Sequence, residues 1–153
     1  MNIALRDALV SAALRHMRDA EHLAGAGDHR SLDQARHLAG YGPECARKAC
    51  FAERWADKAI GHRLDEIGDE VVEFVVGLDI RANRYHVADW MRTYATLRDW
   101  TTAWRYDATG TAEQGDVQRL LETARQAVDG LVYQLWLDGR LGETALELGG
   151  SRS

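Results

Sequence analysis

The sequence predicts an all-α fold: an up-and-down bundle of four to five helices over residues 1–138, followed by a glycine-bounded tail over residues 139–153. Three observations carry that prediction. Fourteen glycines stand against one proline, with no alternating run of the kind a half-buried strand needs. Several windows repeat apolar residues at helical spacing. The segment ARHLAGYGPECARKA, residues 35–49, gathers Ala35, Ala39, Gly42, Cys45, Ala46 and Ala49 on one arc, which Ala52 and Ala56 continue. A helix face so poor in bulk lets neighbouring helices approach closely, so this segment reads as the central helix of the bundle.

A chain of 153 residues fits one core large enough to fold without disulfides. Cys45 and Cys50 lie five apart on one predicted helix and point to different sides, so they read as reduced. No apolar run is long enough to span a bilayer, and MNIALRDALV meets charge too early for a secretory leader. The expectation is a cytoplasmic protein without a membrane partner. The net charge of −5 argues against broad, nonspecific affinity for nucleic acid.

In chain order, residues 3–24 form the first helix, with Leu5, Leu9, Ala12, Ala13, Met17, Ala20 and Leu23 on its apolar face beside His16. His16 reads as a core histidine. His16, Asp19 and His22 fan across about 120° of the wheel, too widely for one metal, so no metal site is predicted. Ser31 and Gln34 make a capping box for a second helix that runs to about residue 58, with a kink or restart at Gly42-Pro43. Leu64, Ile67, Val71, Phe74 and Val75 mark a third helix, whose acidic residues face solvent. Asp79 caps a fourth, continuing to Arg105, with Val87, Trp90, Met91, Tyr94, Leu97, Thr101 and Trp104 inward. The last helix carries the cleanest stripe: Val117, Leu120, Leu121, Ala124, Val128, Leu131, Val132 and Leu135. Tyr133, Trp136 and Leu137 fall off that stripe and read as a second contact surface, and the tail after them is expected to fray, with room for a short turn from Glu143 to Leu148.

Beside the small-residue arc lies a flank of Tyr41, Glu44, Lys48, Phe51 and Trp55. Glu44 and Lys48 stand four apart in the favourable order, either as a surface pair or with one charge turned inward. The wheel of the fourth helix puts Arg105 on its buried stripe, where an unpaired charge cannot stay, and Glu44 is the predicted partner. The off-core aromatics and this flank together predict a symmetric homodimer.

LAGYGPECARKA, residues 38–49, resembles the second-helix signature of the HEPN superfamily, the "higher eukaryotes and prokaryotes nucleotide-binding" helical domains. HMRDAEHL upstream, then His62, Leu64 and Trp104-Arg105-Tyr106 downstream, are similar to further landmarks, so the resemblance spans residues 10–137. It implies a helical bundle acting on RNA or nucleotides. The ribonucleases of this superfamily use an arginine followed four to six residues later by a histidine, commonly from both chains of a dimer and without metal or cofactor. Arg81 and His86 are the match here. A guanidinium can hold the scissile phosphate while a histidine near neutral pKa moves a proton. In the alternative, Arg81 and Arg84 are solvated near a helix start and His86 packs beside Trp90.

Residues 81–105 carry five arginines and two acids on an acidic background, the pattern of a local phosphate site or of a partner-binding face. Arg84, Arg105, Lys48 and Glu44 are its candidate binding residues. Three classes follow: a metal-independent ribonuclease of the toxin or defence type, a silent module that dimerises or binds a nucleotidyltransferase-like partner, and a nucleotide-binding domain without nuclease activity.

Overall fold

The computed structural model of the chain describes residues 3–52, 62, 69–85 and 90–147. Among the described residues all regular structure is helical: α1 (Ile3–Ala24), α2 (Leu32–Ala39), α3 (Tyr41–Cys50), α4 (Asp69–Leu78), the short α5 (Trp90–Thr93) and α6 (Gln114–Leu137). Tight 3-10 turns occupy Ile80–Tyr85, Ala95–Leu97 and Thr102–Tyr106. None of these helices is long and apolar enough to cross a membrane. The expectations that rest on Trp55, Ala56, Leu64, Ile67, His86 and Val87 lie outside the described residues, as do the side chains of Val71 and Met91.

α3 is the centre of the bundle. It runs antiparallel to α1, since Gly42 near its start faces Met17 while Ala49 near its end accepts a hydrogen bond from Arg6 Nε at 3.0 Å. α6 is also antiparallel to α1: Arg125 bonds Glu21, and Gly142, beyond the end of α6, donates its amide to Asp7 at 2.9 Å. The close approach comes from the small residues. Ala35, Ala39, Ala46 and Ala49 are fully buried, and a Cβ on Gly42 would sit 2.6 Å from Met17 Sδ. Cys50 is fully buried although it lies off the small-residue arc, and Cys45, on that arc, is only partly buried. The predicted stripe of α6 is buried throughout, from Val117 to Leu135.

The restart near Pro43 occurs at Gly40, which ends α2 and opens α3. Pro43 therefore falls in the first turn of α3, where its missing N–H would have had no intrahelical acceptor. Ser31 Oγ accepts from the Gln34 amide at 3.3 Å and starts α2 as the capping box predicts.

The fourth helix is not one helix. Instead of a rod from residue 79 to 105, the described residues 79–85 and 90–105 make a series of short turns. Asp79 Oδ1 accepts the Arg81 amide at 3.1 Å and starts a 3-10 turn, and Thr101 in extended backbone caps another through Ala103. These breaks let Trp90, Leu97 and Trp100 all be buried, whereas Thr101 is exposed and Trp104 only half-buried. Arg105 is corrected with them: it is exposed, its guanidinium 4.7 Å from the Tyr106 ring centroid. Phe51 is buried and so is no contact surface, while Phe74 is exposed and Val75 carries the inward face of α4.

The segment after α6 packs where fraying was expected. Gly139 adopts φ +66°, a left-handed conformation natural to glycine, and the amides of Gly139 and Arg140 return to the Trp136 and Leu135 carbonyls, each at 3.0 Å. This reversal turns Arg140 back onto the bundle, where it and Ala145 are buried.

Candidate functional site

The start of α3 brings the polar residues of the signature segment together. Glu44 and Lys48 are 4 % and 7 % exposed, and Lys48 Nζ donates to Glu44 Oε1 at 2.9 Å. Both charges are buried and meet each other, so the pair is not a surface one. His62 Nδ1 lies 3.0 Å from the same oxygen, while Glu44 Oε2 is buried without a hydrogen-bond partner. Arg105 does not reach Glu44, because the broken fourth segment leaves it at the surface.

Tyr41, one turn before Glu44 and half-buried, is ringed by three imidazoles. Its ring centroid lies 5.5 Å from that of His16, 5.1 Å from His37 and 6.3 Å from His62, and the Trp100 indole meets it edge-on at 5.1 Å. Burial pushes His16 below the usual 6.5, with Arg15 adding to the effect. His37 is lowered by burial and then by Arg105. Burial, reinforced by Glu44, raises the Tyr41 phenol above 10.0. At neutral pH the cluster thus holds two uncharged imidazoles, which can accept a proton, beside a phenol that keeps its own. His37 Nδ1 is buried without a hydrogen bond. Arg105 stands at the rim, close enough to bias both His37 and Tyr41. Among the described residues no three His, Cys, Asp or Glu side chains converge as metal ligands.

Arg81 and Arg84 lie elsewhere. Arg81 Nε reaches Asp79 Oδ1 at 3.4 Å, and Arg84 Nη1 donates to Asp138 Oδ1 at 2.6 Å. Tyr85 donates its hydroxyl to the other Asp138 oxygen at 2.6 Å. Arg81 shares a cleft with Ile3 and Arg6, and His16 is ten residues, about 15 Å, further along α1. The structure thus pairs Glu44 with Lys48 along α3, leaves Arg105 beside His37 and Tyr41 at the start of that helix, and holds Arg81 and Arg84 on Asp79 and Asp138. His86 lies outside the described residues.

Sequence reasoning treated His16 and His62 as isolated landmarks and passed over His37. A helical wheel does place His37 four residues before Tyr41, which was the available signal. Arg140 was also missed, and Gly139 just past the last apolar stripe was its signal. Compared with family models, curated proteins and solved structures, the chain matches none.

Proposed function

We propose that the chain is a HEPN-like helical protein acting in an RNA- or nucleotide-linked system, with metal-independent cleavage of single-stranded RNA as its activity and the Tyr41 cluster as its site. The observation that supports this most is the packing of two imidazoles, His16 and His37, against the Tyr41 ring, both held below their usual pKa by burial and with Arg105 close enough to bias His37. In this reading Arg105 holds the phosphate, His37 accepts the 2′-hydroxyl proton as that oxygen attacks the phosphorus, and the bond from phosphorus to the 5′-oxygen breaks, leaving a 2′,3′-cyclic phosphate while the departing oxygen takes a proton from water. The buried Glu44–Lys48 pair and Trp100 position the ring system. Arg81 is held by Asp79 and Arg84 by Asp138, which favours the Tyr41 end over Arg81 and His86 as the reacting centre.

The test is incubation of the purified chain with single-stranded RNA in EDTA. Cleavage lost in His37→Gln and reduced at least tenfold in Arg105→Ala, with His86→Ala active, is the expected pattern. Loss in His86→Ala alone returns the site to Arg81 and His86. RNA bound at low salt without cleavage selects the nucleotide-binding class, and neither binding nor cleavage rejects the reading.

A catalytically silent dimerising or partner-binding module is the second reading, with a nucleotidyltransferase-like protein as the partner the resemblance implies. It is favoured by the exposed pair Tyr133 and Trp136, stacked at 6.0 Å and 20° with Leu137 exposed beside them.

A further inference from the structure

Beside the Tyr41 cluster, α2, the turns between Ala95 and Tyr106 and the start of α6 enclose a pocket of about 340 Å³, at the lower end of the range for small-molecule sites. Arg36, Asp99, Trp104, Asp116 and Arg119 line it over the buried Leu120. Arg36, Asp99 and Trp104 are the immediate chain neighbours of His37, Trp100 and Arg105. Consecutive Cα atoms are only about 3.8 Å apart, so three peptide links hold this pocket against the residues around Tyr41. One wall is planar: the Arg36 guanidinium lies 4.3 Å from the Trp104 ring centroid, and its Nη2 donates to Asp107 at 2.6 Å. Arg36 is offset by Asp107 and Arg119 by Asp116, whereas among the described residues Asp99 makes no hydrogen bond or ion pair. Asp99 is therefore the carboxylate left to receive donors from a ligand. The two arginines beside it disfavour a cation, and the flat wall favours a ring. Bases of single-stranded RNA have that character, since proteins stack them on aromatic rings or guanidinium planes and bond their edges.

We propose that this pocket holds a guanine base of the RNA strand, stacked on the wall of Trp104 and Arg36, with Asp99 as the residue that selects it. Guanine is the one base of the four with two adjacent donors, N1–H and N2–H, on its pairing edge, and a carboxylate accepts both at once. Arg119, exposed and held by Asp116 one turn before it, has donors to spare for O6 or N7, the acceptors an arginine commonly takes on this base. This selectivity rests on the RNA-directed reading of the chain and adds a base preference to it. Arg105, next to Trp104, then meets a phosphate of the nucleotide whose base fills the pocket.

The test follows the tryptophan indole N–H resonances of the full chain during titration with the 5′-monophosphates of guanosine, inosine, adenosine and cytidine. Each carries the same phosphate, so differences among them read the base. The guanosine compound should shift the Trp104 signal, assigned by its loss in Trp104→Phe, and bind at least fivefold more tightly than the inosine compound, which lacks the 2-amino group. Asp99→Asn, at an exposed position where folding is unaffected, should bring guanosine down to the level of inosine. Absent binding, equal affinities for the four, or a guanosine preference that survives in Asp99→Asn overturns the proposal. Mapping the cuts in a mixed-sequence RNA separates it from the nuclease reading. Cuts beside guanines support both, cuts indifferent to sequence keep the nuclease and sink the pocket, and guanosine selectivity without cleavage keeps the pocket and sinks the nuclease.

Discussion

The Trp100 indole lies across Gly40 and donates its Nε1 proton to the His37 carbonyl at 3.0 Å. A Cβ on Gly40 would lie 2.0 Å from the indole ring. Trp100 thus holds the junction of α2 and α3 and touches Tyr41 from the same position. Gly40→Ala should destabilise the protein by about 3 kcal/mol, since ring and backbone both have to shift. A fall in the urea midpoint at unchanged slope checks this, and a variant as stable as the parent shows that the ring is not seated there.

The Glu44–Lys48 pair is buried enough for its two halves to depend on each other. Lys48→Met leaves Glu44 with reduced compensation and should cost about 3 to 5 kcal/mol, whereas the double change to Met and Leu should cost much less. A double-mutant cycle measures the coupling. Arg105→Ala, at an exposed position, should stay within about 0.5 kcal/mol of the parent. Coupling between Arg105 and Glu44 in a second cycle would contradict the arrangement described above.

Stability should fall on mild acidification, through His16 and His37. Both have folded pKa values below 6.5, so between that value and their lowered ones the unfolded chain binds more protons. Their neutral burial is fully tolerated above the unfolded value and becomes a penalty as pH drops through the window beneath it. The lowered carboxylates act later. Burial raises Asp79, but Arg140 and Arg81 outweigh it, and Tyr85 and Arg84 hold Asp138 down, so stabilisation from these groups is lost only as pH falls below 3.8. Urea midpoints measured from about pH 8 to pH 3 should show two descents. His37→Gln should shrink the first and leave the second.

Tyr133, Trp136 and Leu137 should form a two-fold contact between copies of the chain. Sedimentation at micromolar concentration should give a dimer for the parent and a monomer for Trp136→Glu, with the helix content of both alike. A monomeric parent would remove the dimer from every reading of this protein.

The long helices were legible because their signals are local. Residues 3–24 and the stripe from Val117 to Leu135 repeat apolar positions at helical spacing over many turns, and packing keeps that period, although in the first half of α1 the buried face runs through Arg6 and Val10 and leaves Leu5, Leu9 and Ala12 only partly buried. The segment containing Trp90, Leu97 and Trp100 was misread for the opposite reason. Its aromatic residues also fit a helical stripe, but their burial depends on surfaces supplied by Gly40 and His37, distant in sequence, and short capped turns reach those surfaces where a straight helix does not. The same applies to the sites. Glu44 and Lys48 were found because four residues on one helix make neighbours, whereas the ring around Tyr41 joins α1, α2 and His62, and Arg140 depends on one left-handed glycine.

Cys50 gives the close packing around α3 an observable rate. Its thiol donates to the Ala46 carbonyl at 3.3 Å and is pushed up to about 12 by burial, against the opposing pull of Arg6, Arg47 and Arg140. An alkylating reagent needs a thiolate it can touch, and native Cys50 offers neither ionisation nor access. Cys45, five residues earlier and partly exposed, remains within reach of the reagent. The labelling of Cys50 relative to Cys45 is therefore an internal clock for the opening of α3 from its neighbours, read by mass spectrometry without any engineered probe.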